Sequence, residues 1–330
     1  MRKRIFAILL LICLGLGTLS GCTARRADDD KLVVVCTVFP IYEWAKNVVG
    51  TVENVDVVLL VDNGTDLHSY QPTTKDMIEM VSADLLLYIG SESGSWVEES
   101  LKNRAREDRT LLDLSKVEGV TLRTTSAESV IEGHDHTHGH EDGHDHDHGT
   151  TDEHLWLSLA NAIACTESIA DAICDLDRAN SERYRTNADA YIDELLKLDE
   201  AYAAAVAETQ EPTLLFADRF PFVYLAEDYG IRYVAAYAGC STETDATPST
   251  VIHLAEHVDE WGVHTVCVTE SSDGALAQSV IRATKQKDQR VAVLDSMQSV
   301  TQKQIDQGVT YLGIMKKNLS VLQGIFEELK

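Results

Sequence analysis

Seven of the twelve histidines in this 330-residue chain stand in one short segment, residues 134–148, among several carboxylates. The segment contains no apolar side chain, so it cannot bury enough surface to fold, and we expect a disordered loop over residues 133–150. Imidazoles and carboxylates bind Zn²⁺, Ni²⁺ or Cu²⁺, here in many interchangeable arrangements. The predicted weak, auxiliary metal ligands are His134, His136, His138, His140, His144, His146 and His148.

A pattern typical of zinc proteases, H-E-x-x-H, lies inside this segment at His140–His144. The motif works only on a helix, which places both imidazoles on one face beside the glutamate base. Gly139, Gly143 and Gly149 and the lack of an apolar stripe argue against a helix here. We therefore interpret the pattern as a chance match.

A second group of possible ligands follows predicted strands. In open α/β sheets, ligands bind beyond the carboxyl ends of the strands. His68 follows a strand that ends near Val61, and His154 stands just before a predicted helix. The carboxylates that directly follow strands in the second half are Asp218, Glu270 and Asp295. A lone histidine is more often a hydrogen-bonded polar residue than a metal ligand. Only convergence of several of these side chains in the fold would therefore indicate a metal site.

Other residues able to bind metal are interpreted as structural. His253 and His257 are four residues apart on a predicted helix, but they lie off its apolar stripe, which indicates a solvated face. No C-x-x-C spacing is present, so neither a zinc knot nor a redox pair is predicted. The cysteines interpreted as structural are Cys36, Cys165, Cys174, Cys240 and Cys267.

The elements that must position these candidates alternate between strand and helix. In residues 31–180, buried strand-like runs alternate with helical patterns, which is typical of a mostly parallel sheet with helices on both faces. The same alternation resumes over residues 211–330 and ends in a helix predicted over Asp306–Leu329.

Between these two regions, apolar residues recur at spacings of four and three from Tyr184 to Ala205. This spacing predicts one long helix over residues 181–210. The predicted fold class is therefore α/β, with two lobes joined by one long rigid helix. Each lobe is expected to be a mostly parallel sheet flanked by helices.

The first 30 residues are interpreted as an export and anchoring signal. Basic residues precede the apolar run Ile5–Leu16, which is too short for a membrane span of about 20 residues but fits a signal peptide over residues 1–21. The run leads into Leu19–Cys22, which is similar to a bacterial lipobox. We therefore expect lipidation of Cys22, a tether over residues 22–30, and a location on the extracytoplasmic face of the bacterial cell membrane.

The charge balance excludes one large class of partners. Lys and Arg total 28 against 54 Asp and Glu, which gives a formal net charge of −26. Affinity for nucleic acid depends on basic side chains that neutralise phosphates, so a nucleic-acid binder is not expected.

The predicted ligands stand in segments that resemble a known family, the zinc- and manganese-binding lipoproteins that serve ABC transporters. The matching segments are Gly64–Thr73, Asp152–Leu157 and Asp295–Ser296. In zinc-specific members a histidine-rich loop also precedes the second motif. The resemblance extends from about Lys31 to Leu329. It implies an ion held between two lobes that a long helix joins.

The same resemblance implies His68 and His154 as ligands from the first lobe and Asp295 as a ligand from the second. The chain departs from the family at the remaining position. The family has His or Glu three residues before a phenylalanine, here Phe220, and Ala217 occupies that position. Asp218 is the predicted replacement. Glu270, which supports rather than binds in relatives, and a water molecule are the alternatives.

The resemblance implies a monomeric, non-enzymatic receptor that captures Zn²⁺ and delivers it to permease and ATPase subunits of a transporter. Mn²⁺ is the runner-up because two oxygen ligands would weaken the preference for zinc. Two other hypotheses stay open. A zinc hydrolase would need a base beside an activated water, for which Glu270 is the candidate. The other hypothesis is a surface adhesin, and the sequence contains no motif that decides for or against this role.

Overall fold

The computed structural model describes residues 31–65, 69–91, 94–102, 109–124, 151–239, 241 and 246–329. The predictions that fall outside the described residues concern the signal peptide, Cys22, the tether, His68, the histidine-rich loop and Cys240. Both lobes lie within one compact unit that begins at Leu32.

Within the described residues, the first lobe is built on a parallel sheet of four strands in the order β2-β1-β3-β4. Its elements are β1 (Leu32–Cys36), α1 (Phe39–Val49), β2 (Val55–Leu59), α2 (Thr74–Ser82), β3 (Leu85–Tyr88), α3 (Ser95–Leu101), β4 (Thr110–Asp113) and α4 (Leu159–Leu176). The apolar run of β1 lies between two neighbouring strands, as expected for a sheet covered on both faces. Helix α2 begins at a reciprocal pair of hydrogen bonds between Thr73 and Asp76.

The described part of the second lobe repeats this plan with the strand order β6-β5-β7-β8, again parallel. Its elements are β5 (Thr213–Phe220), α6 (Val223–Tyr229), β6 (Arg232–Ala238), α7 (Pro248–Trp261), β7 (Thr265–Thr269), α8 (Ala275–Ala283), β8 (Arg290–Leu294), α9 (Gln302–Asp306) and α10 (Tyr311–Glu327). The predicted fold class is confirmed.

Helix α5 (Ser181–Ala207) joins the lobes and spans 27 residues, or about 40 Å at the usual rise per residue. Its 4-3 apolar stripe is buried from Tyr184 to Tyr202. The helix packs against α1 and α4 of the first lobe and α10 of the second. The Tyr202 hydroxyl also donates to the backbone oxygen of Met315 at 2.7 Å. The connector is therefore held along its length rather than free to bend.

The terminal helix predicted over Asp306–Leu329 is present as α10, but it begins later, at Tyr311, and Asp306 is the last residue of the separate helix α9. Gly308 adopts φ +87°, a left-handed conformation that ends the first helix at little cost for glycine. Thr310 is extended, and its side chain accepts a hydrogen bond from the backbone nitrogen of Gly313, which starts the second helix.

The cysteines that the structure describes behave as small core residues. Cys36, Cys165, Cys174 and Cys267 are free and buried. Burial raises the pKa of Cys267 to about 12, so the metal-binding thiolate form is disfavoured. No helix in the described part of the chain has the length and apolar character needed to cross a membrane.

Candidate metal centre

Loops from the carboxyl ends of both sheets meet between the lobes. Asn63, shortly after β2, forms an isolated β-bridge with Thr301, which follows β8. The indole nitrogen of Trp156 donates to the backbone oxygen of Ser296 at 2.9 Å. The segments that carry His154 and Asp295 are therefore joined directly, and the loop that continues to His68 begins at the same interface.

His154 is completely buried and precedes a 3₁₀ turn over Leu155–Leu157. The Asp152 Oδ1 atom accepts a hydrogen bond from the His154 backbone nitrogen at 2.8 Å and lies 2.7 Å from ring Nδ1. Because an ionised carboxylate only accepts, Nδ1 carries the hydrogen and Nε2 carries the lone pair. A carboxylate behind a histidine in this way orients the ring and raises its basicity as a metal ligand.

The charge state of His154 reflects two opposed effects. Burial lowers the pKa of the ring, but the carboxylates of Asp152 and Glu153 favour the charged form and outweigh it. The pKa of His154 is therefore raised above its ordinary value. A divalent ion at Nε2 would supply the positive charge that these carboxylates favour, without a proton on the ring.

Residues of the second lobe hold Asp152 in position. Its backbone oxygen accepts a hydrogen bond from the Tyr224 hydroxyl at 2.6 Å. A side chain added at Gly239 would lie 3.0 Å from Asp152 Oδ2 and 2.8 Å from the backbone oxygen of Phe220. Only glycine allows this close approach, so both lobes fix the carboxylate that orients His154.

Asp295 directly follows β8, and its side chain shapes the loop that follows. Its Oδ1 atom accepts a hydrogen bond from the Met297 backbone nitrogen at 2.9 Å, and Met297 has φ +64°. A non-glycine residue in this conformation is strained, and such strained residues cluster at functional sites. Burial raises the pKa of Asp295 to about 6, with a further contribution from Glu270. A cation at this carboxylate would relieve both causes.

Glu270 and Asp218 are already engaged in hydrogen bonds. Glu270 accepts from the Ser296 backbone nitrogen at 2.8 Å and from the hydroxyls of Ser296 and Ser299 at 2.9 and 3.1 Å. Asp218 Oδ2 accepts from the backbone nitrogen and the hydroxyl of Thr269 at 3.1 and 2.7 Å. Its Oδ1 accepts from the Arg219 backbone nitrogen. Glu270 thus holds the loop after Asp295, while Asp218 ties β5 to β7.

Among the residues that the structure describes, no three His, Cys, Asp or Glu side chains form a group able to hold a metal ion. His68 lies outside that set. His154 and Asp295 would therefore need a further ligand, either from the loop of His68 or from another residue type. His253 is exposed on α7, as predicted for a solvated face. The ring of His257 lies against Trp261, with centroids 4.6 Å apart and planes tilted by 41°.

The profile of the family "Zinc-uptake complex component A periplasmic", ZnuA, matches residues 34–324. The chain belongs to the ZnuA family. It is 31% identical over 321 residues to the zinc-binding lipoprotein AdcA of Streptococcus pneumoniae strain R6, which covers 97% of this chain and 60% of AdcA. It is 28% identical over 320 residues to the high-affinity zinc uptake system protein ZnuA of Bacillus subtilis, covering 97% and 95%. The chain thus spans about 60% of the length of AdcA.

Solved structures of ZnuA-like proteins share the fold. The Zn(II)-bound ZnuA-like domain of S. pneumoniae AdcA matches with a TM-score of 0.70 and 26% identity, covering 90% of this chain and 99% of that domain. The metal-dependent lipoprotein YcdH of B. subtilis matches with a TM-score of 0.73 and 25% identity, covering 91% and 100%. The predicted resemblance to this family is confirmed.

The supporting role of Asp152 was not predicted from the sequence. Asp152 stands in the same motif as His154, but the sequence alone does not show that its carboxylate turns back onto the ring. This role depends on a loop conformation, which hydropathy and spacing do not encode.

Proposed function

We propose that this chain is an extracytoplasmic receptor that captures Zn²⁺ between its two lobes, with His68, His154 and Asp295 as ligands. Two neutral imidazoles and one carboxylate favour Zn²⁺ over the harder Mn²⁺. The zinc-binding names of the AdcA and ZnuA relatives support the choice of metal. The Zn(II)-bound state of the AdcA domain supports it as well.

The observation that carries this proposal is the pairing of His154 with Asp152 beside the loop of Asp295. A buried imidazole with a carboxylate on Nδ1 is oriented to bind a metal through Nε2. The hydrogen bond from Trp156 to Ser296 brings a carboxylate of the other lobe to the same interface. Members of the family are components of zinc uptake rather than enzymes, and we propose no bond-making step for this chain.

We further propose that the chain acts as a lipid-anchored monomer that hands its ion to the permease of an ABC transporter, which an ATPase drives. The zinc-uptake description of the family and the lipoprotein name of AdcA support this role. Fractionation of cells tests the anchor, since Cys22→Ala should move the chain from the membrane to the soluble fraction. Membrane retention of that variant would contradict the proposed lipidation.

Calorimetric titration of the metal-stripped full chain tests the choice of cargo. At pH 7.5 we expect one tightly bound Zn²⁺ per chain, and Mn²⁺ should bind more weakly at the same site. Competition between the two ions would show whether they share it. Tighter binding of Mn²⁺ than of Zn²⁺, or the lack of any tight zinc site, would overturn the proposal.

A further inference from the structure

Helix α6 of the second lobe contacts both ends of the segment from Asp152 to Ser158, which carries His154. At the first end, the Tyr224 hydroxyl donates to the backbone oxygen of Asp152 at 2.6 Å. At the other end, Asp228 Oδ2 accepts a hydrogen bond from the Ser158 hydroxyl at 2.5 Å. Tyr224 and Ser158 are buried, so water has little access to these contacts. The other lobe therefore holds the segment at two points.

Hydrogen bonds inside the segment tie it into one unit. Asp152 Oδ1 accepts from the His154 backbone nitrogen at 2.8 Å, and the His154 backbone oxygen accepts from the Leu157 nitrogen at 3.0 Å. The Ser158 backbone nitrogen donates to the Leu155 oxygen at 3.2 Å. Because these bonds link the two ends through His154, fixing both ends also fixes the position of its ring.

The same helix holds the chain that lies beside this segment. The Arg123 backbone nitrogen donates to the Tyr224 hydroxyl at 3.2 Å. The Arg123 guanidinium lies 2.9 Å from Glu227 Oε2 and 3.0 Å from Asp228 Oδ1. Asp228 thus uses one carboxylate oxygen for Arg123 and the other for Ser158. Glu227 makes the same type of ion pair from a more exposed position.

We propose that Tyr224 and Asp228 are positioning residues for His154 and act on it from the opposite lobe. This inference rests on the proposed function, in which His154 is a zinc ligand. Tyr224 acts through the backbone of Asp152, and Asp228 acts through the side chain of Ser158. A ligand that is already in place need not be ordered when the metal binds, so such contacts raise the affinity.

Two tyrosines on α6 provide a matched test. Tyr224→Phe removes the hydroxyl at Asp152, while Tyr229→Phe removes one that donates at the same distance, 2.6 Å, to Asp199 on α5. Zinc affinity of the full chain, measured by competition with a chromophoric chelator, should fall about tenfold in Tyr224→Phe and stay within about twofold of the wild type in Tyr229→Phe. Equal zinc affinities of the two variants would overturn the role of Tyr224.

A second pair of variants separates the hold on Ser158 from the ion pairs. Asp228→Ala and Glu227→Ala each remove a carboxylate that pairs with Arg123, but only Asp228→Ala also releases Ser158. Zinc binding should weaken about tenfold in Asp228→Ala and stay within about twofold of the wild type in Glu227→Ala. Equal losses in both variants would assign the effect to the pairing of Arg123, and the role given to Asp228 would be wrong.

Hydrogen exchange of the His154 backbone amide gives a readout that needs no metal. In the metal-free chain, exchange measured by NMR should be faster in Tyr224→Phe and Asp228→Ala than in their controls, because the bond from this amide to Asp152 opens more often. Wild-type exchange in both variants would contradict the inference. The proposed function fails by a different result, namely a wild-type chain without a tight zinc site, or full zinc affinity in His154→Ala.

Discussion

The two lobes prepare their halves of the proposed metal centre in different ways. On the first lobe, His154 is completely buried, and Asp152 contacts both its backbone nitrogen and its ring Nδ1. On the second lobe, Asp295 is held by its own loop, with Glu270 organising Ser296 and Ser299 behind it. The first half is set by a carboxylate behind a buried ring, and the second by the conformation of a whole loop.

This difference also appears in how the two halves bind protons. The pKa of His154 is raised because nearby carboxylates favour its charged form. The pKa of Asp295 is raised to about 6 because burial and Glu270 disfavour its charged form. The pKa values of both side chains are therefore raised, but for opposite reasons. One divalent cation would replace the proton in both places, which is the behaviour of a site prepared for metal.

Removal of the imidazole should have the largest effect. His154→Ala deletes the proposed ligand and should weaken zinc binding more than about 100-fold, beyond the cost of losing a supporting contact. Isothermal titration calorimetry measures this loss. His253→Ala is the matched control, since His253 is exposed on α7. Equal affinities of the two variants would remove His154 from the site.

Acidification should have the next largest effect. Protons compete with the metal at His154, at Asp295 and at His68, so the affinity should fall as pH decreases. With a pKa of about 6 at Asp295 and raised basicity at His154, zinc binding should weaken about 100-fold between pH 7.5 and pH 5.5. Titrations at both pH values test this expectation. Equal affinities would show that these groups do not bind the ion.

Neutralising the carboxylate behind His154 should have a smaller effect. Asp152→Asn keeps the size of the side chain but no longer requires the hydrogen to be on Nδ1. Loss of such a supporting contact typically costs 10–100-fold in metal affinity. Nitrogen-detected NMR of the imidazole would show a shift toward the other tautomer. A wild-type tautomer and affinity in this variant would mean that the ring is held by packing alone.

Deletion of residues 134–148 should have the smallest effect on tight binding. The segment is predicted to supply only weak and auxiliary ligands, so one tight zinc ion per chain should remain while additional weak binding disappears. Titration with excess zinc distinguishes the two classes of site. If the tight ion were lost, the segment would have to provide a direct ligand, and the assignment of the metal centre would change.

Local signals predicted most of the fold. The 4-3 spacing from Tyr184 predicted α5, and the alternation of strand and helix patterns predicted the two parallel sheets. Strand β4 was missed because it has only four residues and is half-exposed, so it lacks a continuous buried run. The start of the terminal helix was predicted five residues too early, because the left-handed Gly308 and the capping Thr310 separate α10 from α9.

The site was predictable only as far as residue type and strand ends allow. His154 and Asp295 could be chosen because metal-binding side chains stood beside predicted strands or within a motif. The groups that support them could not be chosen from the sequence, because Gly239 and Tyr224 come close to Asp152 only after the lobes pack together. The left-handed conformation of Met297, in the loop that Asp295 holds, also has no marker in the sequence.

A crystal structure of the zinc-loaded chain, with anomalous data at the zinc edge, tests the central claim most directly. We expect a single strong peak about 2.0–2.2 Å from both Nε2 of His154 and a carboxylate oxygen of Asp295, so that one ion joins the two lobes. A strong peak bound by residues of only one lobe, with His154 and Asp295 both outside its coordination sphere, would contradict the proposed site.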